Sequence, residues 1–126
     1  MKKRVLLVDD ETRFTRLLKL NLEQTGRYEV REENEGLQAV RTAQEFKPDI
    51  ILLDIIMPDA NGSEIAVQIK NNEKLKNVPI VFITAILSRE EVAPSDNCLI
   101  GGNRFIAKPV TMEEVLSCLE QVEGNK

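Results

Sequence analysis

Asp9 and Asp10 stand directly behind an apolar run, Val5 to Val8, and Asp54 directly behind another, Ile50 to Leu53. Thr84 closes the run Ile80 to Ile83, and Lys108 follows Arg104 to Ala107. Each polar group thus sits at the carboxyl end of a segment that reads as a buried strand. If those strands are parallel, the five groups meet at one edge of one sheet, where α/β folds keep their ligand crevice. Three carboxylates held together repel one another and do not all stay ionised unaided. Lys108 offsets one charge, and a divalent cation would offset the remaining two. Hard oxygen donors, with positions left for water and phosphate, suit magnesium. Bound there, it would shield Asp54 from an incoming phosphoryl group and spread the charge of the transition state.

Taken singly, each residue has a plainer explanation. Asp10 is a candidate cap for the helix behind it, Thr84 a turn hydroxyl, Lys108 a surface charge. Together they need another reason, because unrelated surface residues do not gather at the same end of four strands.

The elements that must position them follow from the apolar pattern. Arg4 to Val8, Tyr28 to Arg31, Ile50 to Leu53, Ile80 to Ile83 and Arg104 to Ala107 read as strands. Helical spacing of Phe14, Leu17, Leu18 and Leu22 predicts a first helix over Glu11 to Gln24, stopped by Thr25-Gly26. Leu37, Val40 and Ala43 mark a second helix, ended before Pro48. The third runs from about Ser63 to Asn71 and buries Ile65, Ala66 and Ile69. The last opens on a capping box, Thr111 to Glu114, with Met112, Val115, Leu116, Leu119 and Val122 on one face. Strand and helix in strict alternation predict a parallel sheet covered on both sides. Between the fourth and fifth strands, Ser88 to Glu91 is a second capping box, yet Pro94 falls inside the helix it would start. A short, kinked or partly unwound helix is expected there.

Composition removes several classes of function. The 126 residues suit one domain, large enough to fold without a disulfide or structural metal. A net charge of −4, with no stripe of Lys or Arg, argues against nucleic-acid binding. No apolar run approaches the ~20 residues of a membrane span, and the run behind Met1-Lys2-Lys3-Arg4 is too short for an export signal, so a cytoplasmic location is expected. Cys98 and Cys118 have no CxxC spacing and no histidine to complete a zinc site. The absence of histidine also excludes Ser-His and Cys-His nucleophile pairs. Chemistry here falls to carboxylates, lysine, hydroxyls and a metal.

The motifs Asp9-Asp10, Asp54-Ile55-Ile56-Met57-Pro58 with Gly62, Thr84-Ala85, and Phe105-Ile106-Ala107-Lys108-Pro109 resemble the receiver domain of two-component response regulators. The resemblance covers essentially the whole chain and implies one receiver over residues 1–126. It implies a flavodoxin-like (βα)5 fold with a five-stranded parallel sheet in the order 2-1-3-4-5. By resemblance Asp54 is the phosphoacceptor, and Asp10 and Asp54 bind Mg2+ directly. Asp9 acts mainly through a water, and the Ile56 backbone carbonyl completes the protein ligands. Lys108 pairs with Asp54 and then with phosphoryl oxygens. Thr84 swings onto the phosphoryl group, Phe105 turns into the vacated space, and the Lys108-Pro109 peptide is cis. The donor is a phosphohistidine on a sensor histidine kinase or histidine phosphotransfer protein, which this histidine-free chain cannot supply itself. The output face would be the fourth helix, fifth strand and last helix, and the resemblance allows a homodimer formed on phosphorylation. The family is a switch that catalyses its own phosphorylation and dephosphorylation, not an enzyme with a separate substrate. The cognate kinase, the target, and whether the receiver stands alone are left open.

Two features depart from the family pattern. Ser88 to Asn103, with Pro94, Cys98 and Gly101-Gly102, replaces a regular fourth helix and the usual Gly-Ala pair. Ile56 and Ile86 are apolar where relatives are often polar beside the phosphoryl group. Apolar side chains position no hydrolytic water, so a long-lived phosphorylated state is expected. Three rivals remain. A dehalogenase-type phosphoaspartyl hydrolase needs a second aspartate where Ile56 stands. A flavin domain needs a hydroxyl- and glycine-rich loop where Asp9-Asp10-Glu11 stands. A degenerate receiver acting as a phosphorylation-independent binding module stays as the alternative, with the intact acidic and switch positions weighing against it.

Overall fold

The computed structural model describes residues 2–85, 99–100 and 103–124. Five strands run parallel: β1 (Lys3–Val8), β2 (Tyr28–Glu33), β3 (Ile50–Asp54), β4 (Ile80–Thr84) and β6 (Asn103–Ala107). A two-residue strand, β5 (Leu99–Ile100), pairs antiparallel with β6. The order β2-β1-β3-β4-β6-β5 keeps the expected parallel 2-1-3-4-5 arrangement and adds a short edge to it. The helices are α1 (Thr12–Gln24), α2 (Ala39–Phe46), α3 (Gly62–Lys70) and α4 (Met112–Gly124), with a 3-10 turn at Gly36–Gln38 ahead of α2.

Alternation along the strands divides the core into two layers. Val5, Leu7, Ile50, Leu52 and Ile83 face α1 and α4, which bury Leu18, Leu22, Val115 and Leu119 there. Leu6, Val8, Ile51, Leu53 and Phe82 face α2 and α3, which bury Ala39, Ala43, Phe46, Ile65 and Ile69. The central strands are therefore apolar on both sides, which is why β3 reads as an unbroken run until Asp54.

Two helix faces differ from the pattern in the sequence. Leu17 is 62% exposed, because Thr15, Leu18 and Leu22 form the stripe of α1 that meets the sheet, and one residue of offset turns a side chain about 100° away. Leu37 is 74% exposed, because it belongs to the 3-10 turn and not to α2. The Asp59 carboxylate holds that turn, accepting from the Gly36 and Leu37 amides at 3.3 and 3.2 Å. Gly36 packs there against Ala60, whose Cβ would lie 2.8 Å from an added one. The capping box of α4 forms as its residues require: the Glu114 amide donates to Thr111 Oγ1, and the Thr111 amide to Glu114 Oε1.

At the outer edge of β2, side chains of α1 take up the backbone groups of Val30. The Val30 amide donates to Glu23 Oε2 at 3.2 Å, and Lys19 Nζ donates to the Val30 carbonyl at 2.8 Å. Lys19 and Glu23 also pair with each other at 3.3 Å, one turn apart. Among the described residues no helix is long and apolar enough to cross a membrane.

Candidate functional site

The register of the sheet sets the site. Asp54 ends β3 opposite Ile83, and Thr84 ends β4 opposite Ala107. The Lys108 amide donates to the Thr84 carbonyl at 2.9 Å, which holds the last residues of the site to the same edge. Asp9 and Asp54 are buried and Asp10 is more open. One carboxylate oxygen from each of Asp9, Asp10 and Asp54 lies within 4.8 Å of the others. Oxygens bound directly to one magnesium lie at most ~4.2 Å apart, so this spread admits both direct and water-mediated ligation. Three hard donors around one point, two of them buried, fit the ion inferred from the sequence.

The loop after β3 folds tightly behind Asp54. The Ile56 amide donates to Asp54 Oδ1 at 3.4 Å, Ile56 bridges to Asn61, and the Gly62 amide donates to the Ile55 carbonyl at 2.7 Å. A Cβ on Gly62 would sit 2.2 Å from the Asp54 carbonyl oxygen, so the approach of α3 to β3 demands glycine. Asn61 then caps α3, its Oδ1 accepting from the Ser63 amide at 2.7 Å.

Lys108 is nearly buried, and its partners are ranked by distance. Nζ lies 2.6 Å from Glu11 Oε1, 2.8 Å from Asp9 Oδ2 and 3.7 Å from Asp54 Oδ2. The resemblance implies Asp54 as its partner; here Asp9 and Glu11 hold it more closely. Nζ also stands 4.9 Å from the centre of the Phe14 ring. Burial alone would pull Lys108 down, but hydrogen bonds to Asp9 and Glu11 outweigh it and push the ammonium up to about 12. Burial, reinforced by the neighbouring Asp9 charge, pushes Asp54 up to about 6, against the smaller pull of Lys108. Burial also raises Asp9, opposed by its hydrogen bond from Lys108. The cluster is thus overcharged on the carboxylate side, which is the condition that favours a bound cation.

Asp10 does not cap α1. Glu11 occupies the cap position without a side-chain bond to the helix, and its own amide donates to Asp9 Oδ1 at 3.0 Å. Asn34, which the sequence does not single out, donates to the Asp9 carbonyl at 2.7 Å and to Thr15 Oγ1 at 3.0 Å. No local pattern marks it, because its partners come from other elements. Glu11 and Phe14 do carry a signal, being the next charge and the next aromatic after the Asp9-Asp10 pair.

A model of the response regulator receiver domain matches residues 5–120. The chain belongs to that family. Its receiver is similar to the polar-differentiation response regulator DivK of Brucella ovis, 29% identical over 99% of both chains. It is also similar to the alkaline phosphatase synthesis regulator PhoP of Bacillus subtilis, 34% identical over 91% of this chain and 46% of that one. The transcriptional regulator RpaA of Synechocystis is 27% identical over 90% of this chain and 46% of its own length. The receiver thus spans about half the length of PhoP and RpaA and nearly all of DivK. Among solved structures, the chemotaxis regulator CheY4 of Vibrio cholerae superposes with a TM-score of 0.79 at 28% identity, over 97% of this chain and 99% of that one. A CheY-like receiver of Methanospirillum hungatei gives 0.81 at 26% identity, over 99% and 96%.

In this receiver Thr84 and Phe105 share one sheet face. Phe82 and Thr84 alternate to the α2 and α3 side, and Phe105 pairs with Phe82 in register. The rings of Phe82 and Phe105 stack at 5.2 Å, and Thr84 is wholly buried one step further along. The Lys108-Pro109 peptide is cis. Ile56 is 58% exposed beside the site. Ile86, the capping box Ser88 to Glu91, Pro94, Cys98 and Gly101-Gly102 lie outside the described residues.

Proposed function

We propose that residues 1–126 act as one phosphorylation switch in which Asp54 takes a phosphoryl group from a phosphohistidine of a sensor kinase or phosphotransfer protein. The observation that carries this reading is the gathering of Asp9, Asp10 and Asp54 around one point with Lys108 beside them. An Asp54 carboxylate oxygen attacks phosphorus, the new P–O bond forms as the donor P–N bond breaks, and the leaving imidazole takes up a proton. Hydrolysis by water later restores the carboxylate and releases inorganic phosphate. Magnesium, held by Asp10, Asp54 and the Ile56 carbonyl with Asp9 acting through water, would neutralise the negative charge that three carboxylates and a phosphoryl group bring together.

The protein's own groups divide the remaining work. Lys108 reaches from its carboxylate partners on the Asp54 side to the phosphoryl oxygens while Asp9 stays beside it. Thr84 supplies a hydroxyl to the same group, and Phe105, stacked on Phe82, responds to its movement. That change would be read on the surface built from β6 and α4. Exposed and apolar, Ile56 offers no hydrogen bond to a hydrolytic water, which supports a slow return.

The test is binding of beryllofluoride, a phosphoryl mimic, in millimolar magnesium, followed by NMR at Thr84 and Phe105. Wild type should bind and shift both residues, while Asp54→Asn and wild type without magnesium should not. Failure of wild type to bind would leave a binding module that uses the receiver fold without phosphorylation.

A further inference from the structure

We infer that Glu11 and Phe14 form a resting clasp for Lys108, which must open before the lysine can reach a phosphoryl group on Asp54. This rests on the function proposed above and assigns two positioning residues to it. Three observations carry it. Lys108 Nζ is 2.6 Å from Glu11 but 3.7 Å from Asp54 Oδ2, so its resting place is displaced toward α1. Phe14, on the first turn of the same helix, stands 4.9 Å from that ammonium and holds it from another side. Glu11 occupies the cap position of α1 yet caps nothing. Its carboxylate leaves the helix amides and reaches the lysine instead.

The chemistry follows from exposure. Asp9 is buried and stays beside Lys108, whereas the Glu11 side chain is 60% exposed and can return to solvent. Glu11 therefore competes with the phosphoryl oxygens for the same ammonium and can be displaced by them. The clasp weakens phosphoryl binding in the resting state and supplies a partner for Lys108 after hydrolysis.

The experiment titrates beryllofluoride in saturating magnesium into wild type, Glu11→Gln, Glu11→Asp, Phe14→Leu and Phe14→Tyr. The side-chain 1H–15N signal of Lys108 is followed beside the affinity. Glu11→Gln should bind roughly two- to fivefold more tightly, the range of one partly exposed ion pair. Its free-state Lys108 signal should move toward the position it takes in the complex. Glu11→Asp keeps the charge but is one methylene too short to hold the 2.6 Å contact, so it should behave like Glu11→Gln. Phe14→Leu should tighten binding in the same direction, with Phe14→Tyr restoring wild-type behaviour. An unchanged or weaker affinity in Glu11→Gln overturns the clasp. So does a wild-type affinity in Glu11→Asp, since general charge removal then explains Glu11→Gln. Absence of binding by wild type would overturn the phosphoacceptor reading itself and is distinguished by that.

Discussion

At the scale of single residues, burial beside other carboxylates makes Asp54 a cost to the folded chain. Its carboxyl is pushed from 3.8 to about 6, so the folded state binds a proton more readily than the unfolded one. Stability contributed through Asp54 therefore falls as pH rises from about 4 to about 6, and the deficit persists above that range. Asp54→Asn should raise metal-free stability at pH 7 by about 1–3 kcal/mol. Urea denaturation in a chelator at several pH values should show the two proteins equal near pH 4 and parting toward pH 6. A gap that does not depend on pH would refute the electrostatic origin. Gly62→Ala tests geometry in the same place. Its Cβ cannot stand 2.2 Å from the Asp54 carbonyl oxygen, so the loop must shift. The expected loss is about 2–3 kcal/mol, measured by the same denaturation, together with weaker binding of beryllofluoride.

At the scale of elements, the tie between Asp59 and the 3-10 turn joins the loop after β3 to the start of α2. Asp59→Ala leaves two amides without their carboxylate and should cost about 1 kcal/mol. Hydrogen exchange at Gly36 and Leu37 should quicken, while Val115, whose buried amide donates to the Thr111 carbonyl at the start of α4, stays protected. This tie also shows where the sequence stops being legible. Strands, the start of α4 and the acidic triad can be read from local pattern, because a buried strand, a capping box and a strand-end carboxylate each announce themselves within a few residues. Leu37 looks like the first turn of α2, but Asp59, from a distant part of the chain, tightens that turn and leaves the leucine outside. Leu17 fails for a smaller reason, since Leu17 and Leu18 cannot both face the sheet. The preference of Lys108 for Glu11 over Asp54 depends on the trajectory of α1 and has no signature in spacing alone.

At the scale of the whole molecule, two separate cores lie on either side of the sheet, and the site sits where both reach the same edge. A ligand bound there supports both layers. Magnesium at ten times its dissociation constant should add about 1.4 kcal/mol by mass action. Thermal melts with and without magnesium should show that gain in wild type and little of it in Asp10→Asn. Equal shifts in both proteins would place the ion elsewhere. The hold of Lys19 and Glu23 on Val30 has a different consequence, for behaviour in a crowded solution. An open edge strand is a template on which another chain can lengthen the sheet, and here the Val30 amide and carbonyl are already taken. Replacing Lys19 and Glu23 together by alanine should leave the fold intact and produce concentration-dependent association in sedimentation, with Val30 losing exchange protection in the monomer and regaining it in the associated form. The pair would then keep the Val30 stretch of this margin from serving as a template on which a second copy of the chain extends the sheet.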